Sequence, residues 1–275
     1  MAATESAPPP IDTSRPHPAR VYDWFLGGKD NYPVDEELGR RILELEPHAR
    51  RSAHSNRSFM HRATRWSAAE AGIRQFLDIG TGIPTEPNLH QLAQATTPDA
   101  RVLYVDNDPI VLAHAEALLR GRPEGVTQYA QADVREPHKI LDQAARVLDL
   151  RRPVALSLIA LMHFISDEEG AYELVDSLVD ALPAGSCLVL SMITGDYDPG
   201  TMERAVQTYA AGGVTLVARS HAEVARFFTG LEVVEPGIVS LPEWHPELAV
   251  GEDVQGDAPV PLYAGVGIKP STTRH

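Results

Sequence analysis

The run Phe76-Leu77-Asp78-Ile79-Gly80-Thr81-Gly82-Ile83-Pro84-Thr85, followed by Val102-Leu103-Tyr104-Val105-Asp106, constrains this chain more than any other feature. An apolar segment enters a glycine turn, and a second apolar segment ends on a carboxylate. Near-continuous apolar runs of this kind mark parallel strands buried on both faces. A glycine turn at the end of such a strand delivers a nucleotide-like ligand onto a helix N-terminus. An acid ending the next strand is placed to meet ribose hydroxyls. Asp106 lies 24 positions beyond Gly82, near the roughly 20 expected when one helix and one strand intervene.

The turn discriminates between two cofactor classes. A dinucleotide site wants G-x-G-x-x-G, so that backbone approaches a pyrophosphate and the helix packs closely. Here the third glycine position is Thr85, preceded by Pro84. Asp78 stands just before the turn, where a carboxylate repels a diphosphate but orients an ammonium group. D-x-G-x-G ahead of a carboxylate-ended strand therefore reads as an S-adenosylmethionine site, because that ligand carries an amine and a ribose diol. The same departures count against an NAD-type oxidoreductase. A third apolar segment, Val126–Ala130, ends at Gln131-Ala132-Asp133-Val134. Asp133 there is placed to accept an adenine amino group, the competing reading being a helix cap or turn former.

Length and composition bound the rest. A chain of 275 residues with 43% hydrophobic content suits one α/β domain with an appendage. No apolar run approaches the roughly 20 residues that span a bilayer, and no signal pattern opens the sequence, so a cytoplasmic protein without a membrane partner is expected. The single Cys187 excludes an internal disulfide and a cysteine-rich metal site. It reads as a buried strand residue within Ser186-Cys187-Leu188-Val189-Leu190. A net charge of −14 speaks against nucleic acid as the partner, since phosphate affinity needs clustered Lys and Arg. Residues 15–74 nevertheless carry 11 Lys and Arg against 8 Asp and Glu, a mildly basic segment suited to an anionic substrate or a cofactor carboxylate.

Pro8-Pro9-Pro10 and low apolar content predict a disordered tail over residues 1–14. Residues 15–72 read as an N-terminal helical cap, broken at Pro33 and Pro47. Its helices are expected at 34–46, with Leu38, Ile42 and Leu45 on one face, and at 52–69, with Phe59, Met60, Ala63 and Trp66. Residues 73–275 then alternate. Strands are expected at 74–79, 101–105, 126–130, 154–161, 187–193, 231–239 and 262–268. Helices are expected at 85–95, 110–119, 140–148, 167–181, 202–211 and 221–228. A long loop, 242–261, joins the last two strands without a helix, which predicts an antiparallel hairpin at the sheet edge.

Assembled, these residues resemble the class I S-adenosylmethionine-dependent methyltransferases. More specifically, the chain resembles a group of actinobacterial proteins of unassigned substrate first catalogued as a domain of unknown function. The likeness covers nearly the whole chain. It rests on Ala19-Arg20-Val21-Tyr22-Asp23-Trp24-Phe25-Leu26-Gly27-Gly28-Lys29-Asp30-Asn31, on Asn56-Arg57-Ser58-Phe59, on Gln75 to Gly82, and on Tyr104-Val105-Asp106-Asn107-Asp108-Pro109. It implies a Rossmann-like, seven-stranded α/β sheet with an N-terminal helical cap and S-adenosyl-L-methionine as cofactor. It further implies that Gly80, Thr81 and Gly82 lie under the cofactor's amino-acid end. Asp106 then holds the ribose, Asn107 flanks the adenine, and Asp133 with Val134 contacts the base. Pro84 departs from the wider class, where a third glycine often stands.

The cap must fold over the crevice, and its polar groups are candidates for contact. The planar fork of Arg57 suits the cofactor carboxylate, and Tyr22 is placed to close over the methionine chain. The competing readings are a surface charge and helix-linking turns at Gly27-Gly28 and Asn31-Tyr32-Pro33. Past the fourth strand, Ala160-Leu161-Met162-His163-Phe164-Ile165 resembles the apolar-His segments of small-molecule methyltransferases. Ala160 reads there as a cofactor contact and His163 as the candidate general base, against a purely structural histidine. The loop Gly195-Asp196-Tyr197-Asp198 is expected to line the acceptor pocket. Glu243-Trp244-His245 and His221 lack the spacing of a metal site, so the histidines read as surface groups and no metal is expected. The signature of DNA-base amino methylation is also missing. The expected function is methyl transfer to a small-molecule acceptor. The alternative is a module that binds S-adenosylmethionine without turnover, in a sensing or structural role. Acceptor and oligomeric state are not legible in the sequence.

Overall fold

Alternate side chains of a strand face opposite sides of its sheet, and that alternation sorts the core of this protein. The structure, a computed structural model, describes residues 12–118, 120–251 and 259–271. Its strands are β1 Gln75–Ile79, β2 Arg101–Asp106, β3 Val126–Gln131, β4 Ala155–Ile159, β5 Cys187–Ile193, β6 Glu232–Val233, β7 Val239–Ser240 and β8 Leu262–Ile268. They form one sheet of order β3-β2-β1-β4-β5-β8-β6, with β7 also on β8. β1 to β5 pair in parallel, with Asp78 opposite Tyr104 on one side and Ser157 on the other. β8 returns antiparallel to β5, β6 and β7.

The helices are α1 Pro18–Phe25, α2 Pro33–Leu45, α3 Ala49–Ala69, α4 Leu89–Thr96, α5 Pro109–Leu118, α6 Pro137–Val147, α7 Ala171–Asp180, α8 Pro199–Ala211 and α9 His221–Arg226. Leu77, Ile79, Leu103 and Val105 pack on one sheet face with Ile140 and Ala144 of α6 and Val175 and Leu178 of α7. Phe76, Val102, Tyr104 and Val189 pack on the other with Phe59, Met60 and Ala63 of α3 and Leu89 and Ala93 of α4. A third cluster joins Val21 and Phe25 of α1, Leu38 and Ile42 of α2, Ala53 of α3 and Ala205 of α8. The long helix α3 is thus shared. One stretch covers the sheet and another carries α1 and α2.

Several expected elements differ in their bounds, including the helix expected over 167–181, which runs Ala171–Asp180, and three of the differences have a clear local reason. The helix expected from Thr85 starts at Leu89, where the Asn88 N–H donates to Gln91 Oε1 at 2.6 Å in a capping box. The strand expected to reach Leu161 stops at Ile159, because Ala160 takes a left-handed backbone (φ 52°) that a strand cannot continue. The single strand expected over 231–239 is two short ones, parted at Glu235-Pro236-Gly237, since proline has no N–H for the ladder. Seven expected strands therefore become eight.

Residues 1–11 of the expected tail lie outside the described residues, as do 252–258 of the expected loop. Elsewhere in that loop, Trp244 is fully buried between Phe59 and Trp66, edge-on to both rings. Cys187 is buried on β5, and burial pushes its thiol up to about 12. Among the described residues no helix is long and apolar enough to cross a membrane.

Candidate functional site

The sheet order reverses at β1, whose neighbours are β2 and β4, and ligands of open α/β sheets sit outside the carboxyl ends of the strands at such a point. A cavity of about 370 Å³ opens there. Tyr22, Arg57, Asp78, Gly80, Thr81, Gly82, Asp106, Asn107, Asp133, Val134 and Ala160 all line it. Eleven candidates from six separate stretches of sequence thus share one space.

The glycine turn is built by backbone donors. The N–H groups of Gly80 and Thr81 both donate to Val105 O, at 2.8 and 3.3 Å. Gly82 N–H donates to Asp106 Oδ2 at 2.8 Å, and Asp108 N–H to Asp106 Oδ1 at 2.9 Å. Thr81 Oγ1 donates to Asp78 Oδ2 at 2.9 Å. Gly80 and Gly82 are left-handed, with φ of 72° and 68°. A Cβ on Gly80 would stand 2.6 Å from Leu161 Cδ1, whereas one on Gly82 would meet nothing nearer than Ala19 Cβ at 4.0 Å. The turn therefore needs glycine at the first position for packing and leaves open space at the second.

Burial dominates the electrostatics. It pushes the Asp78 carboxyl up to about 6; the Thr81 hydrogen bond and Arg57 oppose that rise and Asp106 adds to it. Burial also raises Asp106, against the N–H groups of Asp108 and Gly82. Among the described residues neither carboxylate forms an ion pair. At the other end of the cavity Asn107 Nδ2 donates to Asp133 Oδ2 at 2.8 Å, and Arg135 N–H to Asp133 Oδ1 at 2.9 Å. Burial alone would raise Asp133, but these donors and the Arg135 guanidinium hold it below the usual carboxylate range.

The helical N-terminal segment closes the cavity. Tyr22 OH donates to Ala53 O at 2.9 Å and accepts from Asn56 Nδ2 at 3.0 Å. Asn56 Oδ1 in turn accepts from Ser191 Oγ at 2.5 Å, and Ser191 Oγ accepts from Ala160 N–H at 3.0 Å. One hydrogen-bonded chain thus fixes both Tyr22 and Ala160. Arg57 Nη2 donates to Thr85 O and, at 3.0 Å, to Pro87 O, so α3 grips the loop beyond the glycine turn. The Gly27–Asn31 loop lines neither cavity described here. It wraps Asp23, whose Oδ2 accepts from Asp30 N–H and Asn31 Nδ2.

Sequence reasoning missed the latch holding α1 and α2 in place. Arg20 Nε lies 3.3 Å and His17 Nδ1 3.2 Å from Asp108 Oδ2, while Arg20 Nη1 lies 3.7 Å from Asp35 Oδ2. Arg20, Asp35 and Asp108 are buried. Arg20 Nε and Nη1 lie at ion-pair distance without hydrogen-bond geometry, so charge compensation is their main contribution. Pairs this far apart in sequence leave no local signal; Asp108 on its own reads only as the cap whose Oδ1 accepts from Ile110 N–H.

His163 stands apart from the cofactor candidates. It lines a second cavity of about 140 Å³ that shares Pro18, Tyr22, Asn56, Ala160 and Phe164 with the first. Burial, with Arg219 adding to it, pushes its imidazole down to about 3, so the ring is neutral at ordinary pH. Its Nδ1 is buried without a partner among the described residues. Buried Arg219 braces this wall by donating to Met162 O and Ile165 O and pairing with Asp167 at 2.5 Å. Of the Gly195–Asp198 loop, only Asp198 reaches the second cavity. His221 is exposed, as expected of a surface group. His245 is half-buried, its Nδ1 against Glu247. Among the described residues no group of three or more His, Cys, Asp or Glu side chains has a metal-holding arrangement.

The fold agrees with known proteins. A Streptomyces avermitilis protein of the DUF574 family is 46% identical, with a TM-score of 0.90 over 95% of this chain and 100% of its own. A candidate methyltransferase from Thermobifida fusca is 38% identical, with a TM-score of 0.86 over 98% of this chain and 100% of its own. At 13% identity, the magnesium protoporphyrin IX methyltransferase of Synechocystis shares the fold, with a TM-score of 0.51 over 90% of this chain and 93% of its own. No curated protein matches the sequence. The model of the S-adenosyl methyltransferase family matches residues 4–270. The chain belongs to that family, whose cofactor is S-adenosylmethionine.

Proposed function

We propose that this protein transfers the methyl group of S-adenosylmethionine to a small-molecule acceptor. The observation that carries this reading is the convergence of two buried carboxylates, Asp78 and Asp106, on one cavity without a paired cation among the described residues. Buried charge left uncompensated is costly. A ligand with an ammonium group and a ribose diol supplies what each carboxylate lacks.

In this reading Asp78 holds the ammonium, and Gly80, Thr81 and Gly82 lie beneath the amino-acid end. Arg57 would pair with the ligand carboxylate, while its Nη2 stays on the loop. Asp106 takes the ribose hydroxyls; Asn107, Asp133 and Val134 take the base. Tyr22 and Ala160 border the methionine side. Residues 15–72 act as the cap over residues 73–275, with the latch on Asp108 holding α1 across the opening. S-adenosylmethionine supplies a methyl group already activated on a sulfonium, so alignment is the main requirement. We assign His163 a hydrogen-bonding role as a neutral ring, in place of the proton-accepting role that its sequence position suggests. The acidic chain, with net charge −14, supports a small acceptor over nucleic acid.

Incubation with methyl-labelled cofactor and a cell extract, split afterwards into small-molecule and macromolecular fractions, tests this reading. Label is expected in the small-molecule fraction. Label confined to macromolecules would overturn the acceptor class, and no transfer to either would overturn turnover.

A further inference from the structure

The second cavity is not explained by the cofactor. We propose that it is the acceptor site, and that it takes a non-anionic molecule about one aromatic ring in size. This rests on the methyltransferase reading above.

Position comes first. Five residues line both spaces, so an occupant of the chamber meets the cofactor's methionine side across Tyr22 and Asn56. Size and polarity follow. The chamber measures about 140 Å³ and is walled by Phe25, Ile42, Met202, Tyr209 and Leu216. A comparable apolar cavity of ~150 Å³ binds benzene.

Charge narrows the class. The formally charged residues in the lining are Glu46 and Asp198; no Lys or Arg lines it. Among the lining residues an acceptor carboxylate or phosphate would meet only like charge, while a neutral or ammonium-bearing molecule would not. Two orphans then set the polar end. Among the described residues His163 Nδ1 and Ser52 Oγ are buried without partners, and both residues line this chamber. Buried polar groups are normally partnered, and the acceptor heteroatom is the partner assigned to them. In the transfer, a lone pair of that heteroatom forms the bond to the methyl carbon as the carbon–sulfur bond breaks. The broken bond's electron pair returns to sulfur, and any proton displaced from the heteroatom passes to water.

The test uses the full chain saturated with S-adenosylhomocysteine, titrated by calorimetry with phenethylamine, 4-methylphenol and phenylacetate. The first two are expected to bind, and phenylacetate at least about tenfold more weakly. Ala205→Phe and Ala49→Trp, on two different helices of the chamber, should each weaken phenethylamine by about tenfold or more while sparing S-adenosylhomocysteine. Equal binding of phenylacetate, no ring binding at all, or no loss in either variant would overturn the acceptor assignment while the cofactor reading stands. Failure of S-adenosylhomocysteine itself to bind would overturn the reading beneath it.

Discussion

Asp106 Oδ2 accepts the N–H of Gly82 at 2.8 Å, so the carboxylate that ends β2 also fixes the turn that ends β1. The same side chain shapes the crevice and, in the proposed complex, holds the ribose. Asp106→Ala should therefore weaken S-adenosylhomocysteine binding roughly 100-fold or more, from two charged hydrogen bonds at about 1.5–3 kcal/mol each. Asp106→Asn, which keeps an oxygen for Gly82, should lose less. Calorimetry on both variants checks this, and unchanged affinity in Asp106→Ala would show that the carboxylate is not a ligand group.

Asp78 makes stability and affinity run in opposite directions with pH. Burial pushes its folded carboxyl up to about 6 from the ordinary 3.8, so the folded state binds the proton more tightly. Its contribution is thus most favourable below about pH 4 and falls as pH rises to about 6, by about 3 kcal/mol in all. Cofactor affinity should instead rise over that window, since the ionised form meets the ammonium. Urea denaturation across pH should lose this slope in Asp78→Asn; an identical slope in the variant would refute the assignment.

These two carboxylates were legible because each stands at or beside the end of an apolar strand in a short motif. The latch was not, because Arg20, Asp35 and Asp108 are linked only through the fold. Nor did the sequence show that α4 starts late, since Arg57 holds Thr85 and Pro87 from another helix. The base assignment for His163 failed to anticipate burial: titration range follows surroundings, which a segment of apolar neighbours only hints at.

The two glycines of the turn should respond differently to alanine. Gly80→Ala adds a clash with Leu161 to a left-handed backbone and should cost about 2–4 kcal/mol. Gly82→Ala carries only the backbone cost, about 1–2 kcal/mol, because its Cβ side is open. Denaturant midpoints measure the difference, and equal losses would contradict the packing described.

Removing the latch cation should be severe. Arg20→Met removes the guanidinium that faces both buried carboxylates, Asp35 and Asp108, at about 3–5 kcal/mol. Adding Asp108→Asn should recover part of that loss. A mild effect of Arg20→Met in urea denaturation would mean that the carboxylates find compensation elsewhere.

His163 should stay neutral well below the ordinary histidine range, as burial and Arg219 dictate. Nitrogen NMR of the imidazole, assigned with His163→Asn, should show no titration from pH 5 to 8. A midpoint near 6.5, the usual value, would restore the residue as a candidate proton acceptor.

The central claim is that the crevice at the ends of β1, β2 and β3 binds S-adenosylmethionine through Asp78 and Asp106. Parallel calorimetric titration of the unmodified protein with S-adenosylmethionine, S-adenosylhomocysteine and NAD tests it most directly. Saturable binding of the first two, one per chain, with a flat trace for NAD, is the result this account predicts. Binding of NAD alone, or of none of the three, would contradict it.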